Sequence, residues 1–204
     1  MVNRLFAASE LADLIAKVES NTRLDFADGV RLFCSPDLLA IGYMADLIRQ
    51  RKQGDLVLFM YDDAISDQET PSQTTATMLY GQGETVEEKV NRLLQLRELQ
   101  EHNAGFRAFA PIASAPSDSG NLTGFDDLKT LAIARIMLDN FDHIKSFWPQ
   151  IGAKLTQVSL SFGVDDLEGN APSARAMSKA TLLRLIRTAG RRPIERDAMY
   201  RFEE

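Results

Sequence analysis

Hydrophobic residues in the first third of the chain recur at the spacing of an amphipathic helix. Ser9 is placed to cap a first helix, since a serine N-cap satisfies free backbone N–H groups. Asp25, with Asp28 three residues later, predicts the start of a second, short helix in the same way. One face of the first helix carries four apolar residues: Leu11, Leu14, Ile15 and Val18.

A third helix is predicted to begin at Ser35. Serine is a favourable N-cap, and Pro36 is tolerated at the first helical position because its missing N–H has no partner there in any case. Gly54 ends this helix. We therefore interpret residues 1–54 as an N-terminal helical cap.

Beyond this cap, short apolar runs alternate with helical patterns. Thr85 and Glu88 form a capping box for one helix, and Thr123 with Asp126 caps another that runs to about Leu138. Alternating strands and helices are typical of βαβ units with parallel pairing, so the pattern predicts an α/β fold. The predicted strands are residues 56–61, 76–80, 106–111 and 144–148.

The composition limits the partners and the compartment. The net charge of −6 argues against a surface for nucleic acid or an anionic membrane. No apolar run approaches the ~20 residues that span a bilayer. The charged N-terminal residues do not fit a signal peptide, and one cysteine gives no disulfide framework. We expect a cytoplasmic protein, with that cysteine, Cys34, as a small buried residue.

Four colinear segments carry a family resemblance: residues 24–60, 76–112, 123–169 and the C-terminal tail from Leu182. The run LAIARIMLDNFDHIKSFWPQIGAKLTQVSLSFGVDDLEG, residues 131–169, carries the closest match. These segments resemble the radical S-adenosylmethionine enzymes that make aminofutalosine (aminodeoxyfutalosine) on the futalosine route to menaquinone. The resemblance implies a TIM-type βα barrel, a 4Fe–4S cluster and S-adenosylmethionine.

The departures from the family concern its reactive groups. The family places a CxxxCxxC loop after the first strand, and the three thiolates hold the cluster. This chain has a single cysteine and runs from Met60 through residues 61–75 directly into a later strand. We interpret that stretch as the junction of an internal deletion, because so few residues cannot hold several βα units. Two histidines of the family pattern correspond to Gln82 and Ala115. We therefore expect no cofactor and no catalytic residue in this chain.

The predicted domains are the helical cap, a partial βα barrel over residues 55–169, and a C-terminal loop and helix over residues 170–204. An incomplete barrel of about four strands has two open edges. Either strands 56–60 and 76–80 become neighbours across the deletion, or a homodimer or partner chain completes the barrel. We also expect apolar barrel-interior side chains to be exposed: Leu58, Met60, Met78 and Phe109.

Three residues are substrate-binding candidates by resemblance: Glu84, His143 and Asp166. Each has a plainer interpretation. Glu84 precedes a helix and is predicted as an exposed acid, His143 as a structural hydrogen bonder, and Asp166, with Asp165, as a helix N-cap in a solvated turn. Residues 168–178 are predicted as a loop. The two histidines give no zinc motif, so no metal site is predicted.

A cluster of arginines near the C-terminus is predicted to form a solvated helix face: residues 184, 187, 191, 192 and 196.

The sequence thus predicts a family member that is a catalytically inactive remnant, or a protein that binds a metabolite or a partner. The alternative is one half of a split radical enzyme whose cysteines lie on a second chain.

Overall fold

The computed structural model describes residues 4–62, 74–114, 122–170 and 177–202. A short 3-10 helix, Arg4–Phe6, precedes seven α-helices and six strands in these ranges. The helices are α1 Ala12–Glu19, α2 Phe26–Cys34, α3 Leu38–Gln53, α4 Val86–Asn103, α5 Gly124–Met137, α6 Trp148–Ser159 and α7 Lys179–Thr188. The strands are β1 Leu56–Asp62, β2 Thr75–Tyr80, β3 Ala108–Ala113, β4 His143–Phe147, β5 Asp166–Asn170 and β6 Arg192–Glu195.

Capping boxes placed three helices correctly, but Ser9 does not cap the first helix, because the N-cap of α1 is Leu11. Asp25 and Asp28 form the predicted capping box of α2, and Thr85 and Glu88 form that of α4. The predicted start of the third helix is wrong. Ser35 follows the last residue of α2, and the N-cap of α3 is Asp37, whose side chain accepts a hydrogen bond from Ala40 N.

The strands form one parallel sheet in the order β2-β3-β4-β5-β1-β6. This is a partial TIM-type βα barrel of six described strands, more than the four predicted. β1 pairs with β5 and β6, so the predicted neighbourhood of β1 and β2 is wrong. The remaining open edges belong to β2 and β6. Of the predicted deletion junction at residues 61–75, residues 63–73 lie outside the described residues, as does Ala115.

The core lies between the helices and one face of the sheet. Side chains alternate along each strand, and those that face the helices are fully or almost fully buried, including Phe59, Met78 and Phe109. The prediction that Met78 and Phe109 are exposed in the barrel interior is therefore wrong. Leu58 does face the interior but is 4% exposed, and Met60 is partly buried. Helix α3 packs on α5 outside this layer.

Three further predictions fail for a common reason, which is that sequence neighbours do not reveal tertiary partners. Cys34, predicted as buried, is exposed at the end of α2. Asp166 begins β5 and is fully buried, so it is neither a helix N-cap nor in a solvated turn. Arg196 is 2% exposed, so it does not belong to a solvated face. No helix in the described ranges is both long and apolar enough to cross a bilayer.

Candidate functional site

The concave face of the sheet, opposite the helices, holds a buried cluster of charged side chains. Lys145 on β4 aligns with Asp166 on β5, and Glu168 lies two residues further along β5 on the same face. Arg196, directly after β6, reaches both carboxylates. Three strand segments that are distant in sequence thus bring these four side chains together.

Each charge in this cluster has a partner of opposite sign. Lys145 Nζ donates to Glu168 Oε2 at 2.6 Å and to Thr75 Oγ1 at 3.0 Å. Arg196 binds Asp166 through two nitrogens, at 2.9 and 2.8 Å, and donates to Glu168 Oε2 at 2.9 Å. Two cations therefore balance two carboxylates, which buried charges require.

Tyr200 closes this cluster from the C-terminal segment. Its hydroxyl donates to Asp166 Oδ2 at 2.6 Å, and its ring lies 4.2 Å from the Arg196 guanidinium carbon and stacks on His143 at 5.6 Å. Burial and the adjacent Asp166 carboxylate raise the pKa of Tyr200, so the phenol stays protonated and donates.

The protonation state of Glu168 follows from two opposed effects. Burial alone would raise the pKa of this carboxyl. The Lys145 charge and the hydrogen bonds from Lys145 and Arg196 lower the pKa by more than burial raises it. The net pKa lies below its usual value. Glu168 is therefore an ionised, internally neutralised carboxylate and a poor general acid at neutral pH.

A second ion pair lies at the N-terminal end of the sheet. Arg135 of α5 forms a salt bridge with Asp165, and both side chains are fully buried. Asp165 also accepts from Ile144 N at 2.8 Å, and His143 Nδ1 lies 2.9 Å from its other oxygen. Burial would raise the pKa of Asp165, but the Arg135 charge and the hydrogen bond with His143 outweigh it and lower the pKa. In barrels this end of the sheet generally serves stability.

The third candidate, Glu84, lies apart from the other two. Its carboxylate accepts from Gly81 N and Gln82 N, both at 2.7 Å, and pairs with Lys89 at 3.5 Å. The side chain is 4% exposed, so the prediction of an exposed acid is wrong. Glu84 fixes the turn from β2 to α4. Tyr200 contacts both His143 and Asp166, and Asp166 lies on β5, three strands away from β2 in the sheet.

Sequence reasoning missed the residues that complete the cluster. Lys145, Arg196 and Tyr200 carry no local motif. A usable signal is the alternation in Asp166-Leu167-Glu168 and in His143-Ile144-Lys145, which places polar groups on one face of a strand whose other face is apolar.

Aromatic side chains pack at the C-terminal ends of the strands. Trp148, fully buried, stacks on Tyr61 at 6.2 Å between ring centroids. Gly169 lies against the indole so closely that a Cβ there would be 2.3 Å from Trp148 Cε2, so only glycine fits. The Tyr61 hydroxyl donates to Met177 O at 2.9 Å. Beside Glu168, the half-buried side chains of Met60 and Phe147 remain on the concave face.

The donor set does not fit the iron–sulfur cluster that the family resemblance implies. A cluster that binds S-adenosylmethionine through one iron needs three thiolates, and the sequence contains one cysteine. That residue, Cys34, is exposed at the end of α2, outside the barrel. Within the described ranges, no group of three or more His, Cys, Asp or Glu side chains is placed to hold a metal. No catalytic step that uses an iron–sulfur cluster can be assigned to these residues.

Comparison with known proteins finds relatives that match part of the chain. No protein-family model matches the chain. Aminodeoxyfutalosine synthase of Thermus thermophilus is 43% identical over 149 residues, which covers 63% of this chain and 40% of that protein. Cyclic dehypoxanthine futalosine synthase of Streptomyces coelicolor is 38% identical over 143 residues, which covers 63% of this chain and 36% of that protein. The chain thus spans about two fifths of the length of these relatives.

Solved structures agree on the fold. The FeFe-hydrogenase maturase HydG of Carboxydothermus hydrogenoformans superposes with a TM-score of 0.70 at 11% identity, covering 98% of this chain and 82% of that one. Methylornithine synthase superposes with a TM-score of 0.58 at 10% identity, covering 87% and 96%. The fold is therefore a partial βα barrel similar to the folds of these two proteins. Over 63% of its length the chain is similar to the aminodeoxyfutalosine synthase of Thermus thermophilus, and its sequence contains no CxxxCxxC segment.

Proposed function

We propose that this chain performs no radical chemistry by itself and uses its concave face to bind a small molecule. The observation that supports the first half is the donor set, a single exposed thiol at the end of α2. The second half is supported by the half-buried Met60, Ile112 and Phe147 on that face, beside the neutralised cluster. Apolar walls with a few fixed polar groups are typical of small-molecule sites.

The ligand class we propose follows from the relatives. Their names refer to aminodeoxyfutalosine and dehypoxanthine futalosine, so a futalosine-type metabolite is the first molecule to test. Thr75 and Glu168 are polar groups on this face, and both accept hydrogen bonds from Lys145 Nζ. Because Lys145 and Arg196 are already paired, a neutral part of the ligand fits here better than a second anion.

Anaerobic reconstitution tests the proposed inactivity. After incubation with iron and sulfide, the chain should bind no more acid-labile sulfide than its Cys34→Ser variant, and neither should release 5′-deoxyadenosine from S-adenosylmethionine. A brown protein that cleaves S-adenosylmethionine would overturn the proposal. Calorimetric titration with aminodeoxyfutalosine tests the binding half, and the absence of a saturable signal would contradict it.

A second candidate function is half of a split enzyme, favoured by the open edge of β2, where Leu79 is 49% exposed. A separate chain with CxxxCxxC and several βα units would then complete the barrel. In that case the two chains should co-purify and cleave S-adenosylmethionine together, whereas this chain alone should not.

A further inference from the structure

The two open edges of the sheet differ in their capacity to accept another strand. Within the described ranges β2 and β6 each pair on one side only. An unpaired edge offers a row of backbone N–H and C=O groups that another strand can bind, and proteins commonly block such edges.

The β6 edge is short and blocked. Arg192 N donates to Asp55 O and Arg196 N to Phe59 O, so these residues point their backbone groups toward β1. By alternation, Pro193 and Glu195 point theirs to the open side. Pro193 has no N–H to donate, which is a common protection of edge strands.

The β2 edge has no such protection. Thr74 O accepts from Ala108 N, and Tyr80 O accepts from Ser114 N, so the even-numbered residues point their backbone groups toward β3. Thr75, Thr77 and Leu79 therefore present theirs outward. β2 contains no proline and no charged residue. Among these outward groups, Leu79 O accepts a hydrogen bond from the exposed Arg92 side chain at 3.3 Å.

An apolar groove of about 400 Å³ continues from this edge onto α4. Leu99 of α4 is 41% exposed and Leu79 is 49% exposed, and the half-buried Leu96 also lines the groove. Proteins rarely leave an apolar surface exposed beside an unpaired strand edge. A strand bound along β2 would cover this groove.

We propose that β2 binds β2 of a second copy of this chain, antiparallel and across a two-fold axis at Thr77. In that register Thr77 faces its own copy and Thr75 faces Leu79 of the partner, so each outward residue forms a hydrogen-bonded pair with two bonds. Uncharged β2 strands meet without like-charge repulsion. A β2-to-β6 contact would propagate into filaments, but Pro193 blocks it, so the assembly closes as a dimer.

Charge substitutions at the symmetry axis test this dimer. Light scattering should give the wild type twice the mass of a single chain. Thr77 is exposed and its side chain lies on the concave face, so Thr77→Lys and Thr77→Glu should leave the fold intact. Each variant alone should be monomeric, because two like charges then lie directly opposite. Their equimolar mixture should recover the dimer mass, and Thr77→Ser should remain dimeric.

A wild-type chain that stays monomeric at all concentrations would overturn the dimer, and so would a dimer that both charged variants retain. Failure of the mixture to recover the dimer would overturn the two-fold at Thr77. Mass measurements on this chain alone do not depend on iron or S-adenosylmethionine, so this test and the reconstitution test fail independently. Circular dichroism of each variant verifies that any loss of mass is not unfolding.

Discussion

Asp165→Ala is expected to reduce the free energy of unfolding by about 3–5 kcal/mol. The substitution leaves the Arg135 guanidinium, which is fully buried, without its counter-ion. It also removes the acceptor for Ile144 N. Urea denaturation followed by circular dichroism measures the loss.

Asp13→Ala is the matched control for that substitution. Asp13 pairs with Arg31 in the same chemical way, but both side chains are about half exposed. Exposed pairs contribute about 0–1 kcal/mol, so this variant should remain close to the wild type. If the two variants lost equal stability, the importance of burial at Asp165 would be refuted.

The ion pair between Asp165 and Arg135 makes the free energy of unfolding depend on pH, and the sign of this dependence is defined. The folded state holds the pKa of Asp165 below the unfolded value of about 3.9. Its stabilisation is therefore fully present above the unfolded pKa and is lost as pH falls through the lower folded pKa. Asp165→Asn should be less stable than the wild type near neutral pH, and the gap between them should narrow in acid.

Arg196→Met is expected to cost a similar amount, about 3–5 kcal/mol. It leaves Asp166 buried with only the Tyr200 hydroxyl as a described side-chain partner, and Glu168 with only Lys145. Arg187→Met is the control, because Arg187 lies exposed on α7. Thermal unfolding of the two variants compares them directly.

The double variant Arg196→Met/Asp166→Asn separates charge from packing. Removing the uncompensated carboxylate should recover part of the lost stability, with a coupling of roughly 1–3 kcal/mol between the two sites. Additive losses would show that Arg196 stabilises the fold by packing alone and would contradict the ion-pair account.

Local signals in the sequence determined the helices, and distant partners determined the site. The capping boxes at Asp25 and Thr85 lie within one turn, so the sequence alone reveals them. Ser35 and Asp37 are both good N-caps, and the choice between them depends on contacts such as Lys129 Nζ with Ser35 O. Such contacts are outside the reach of a local pattern.

Strand β5 shows most clearly what the sequence could not predict. Acids, a glycine and an asparagine are all poor strand formers, so Asp166–Asn170 has the composition of a loop. Lys145 and Arg196 make the burial of its acids tolerable, and both lie more than 20 residues away in sequence. The prediction that Arg196 lies on a solvated helix face failed for the same reason, because its carboxylate partners lie on another strand.

The position of β1 has a consequence for biosynthesis. Both neighbours of this strand, β5 and β6, come from the last 40 residues of the chain. A ribosome therefore releases β1 long before anything can pair with it, and its apolar run is exposed throughout that interval. Pairings over such long sequence separations also fold slowly. Protection by chaperones during translation should therefore matter more for this chain than for one whose first strands pair with each other.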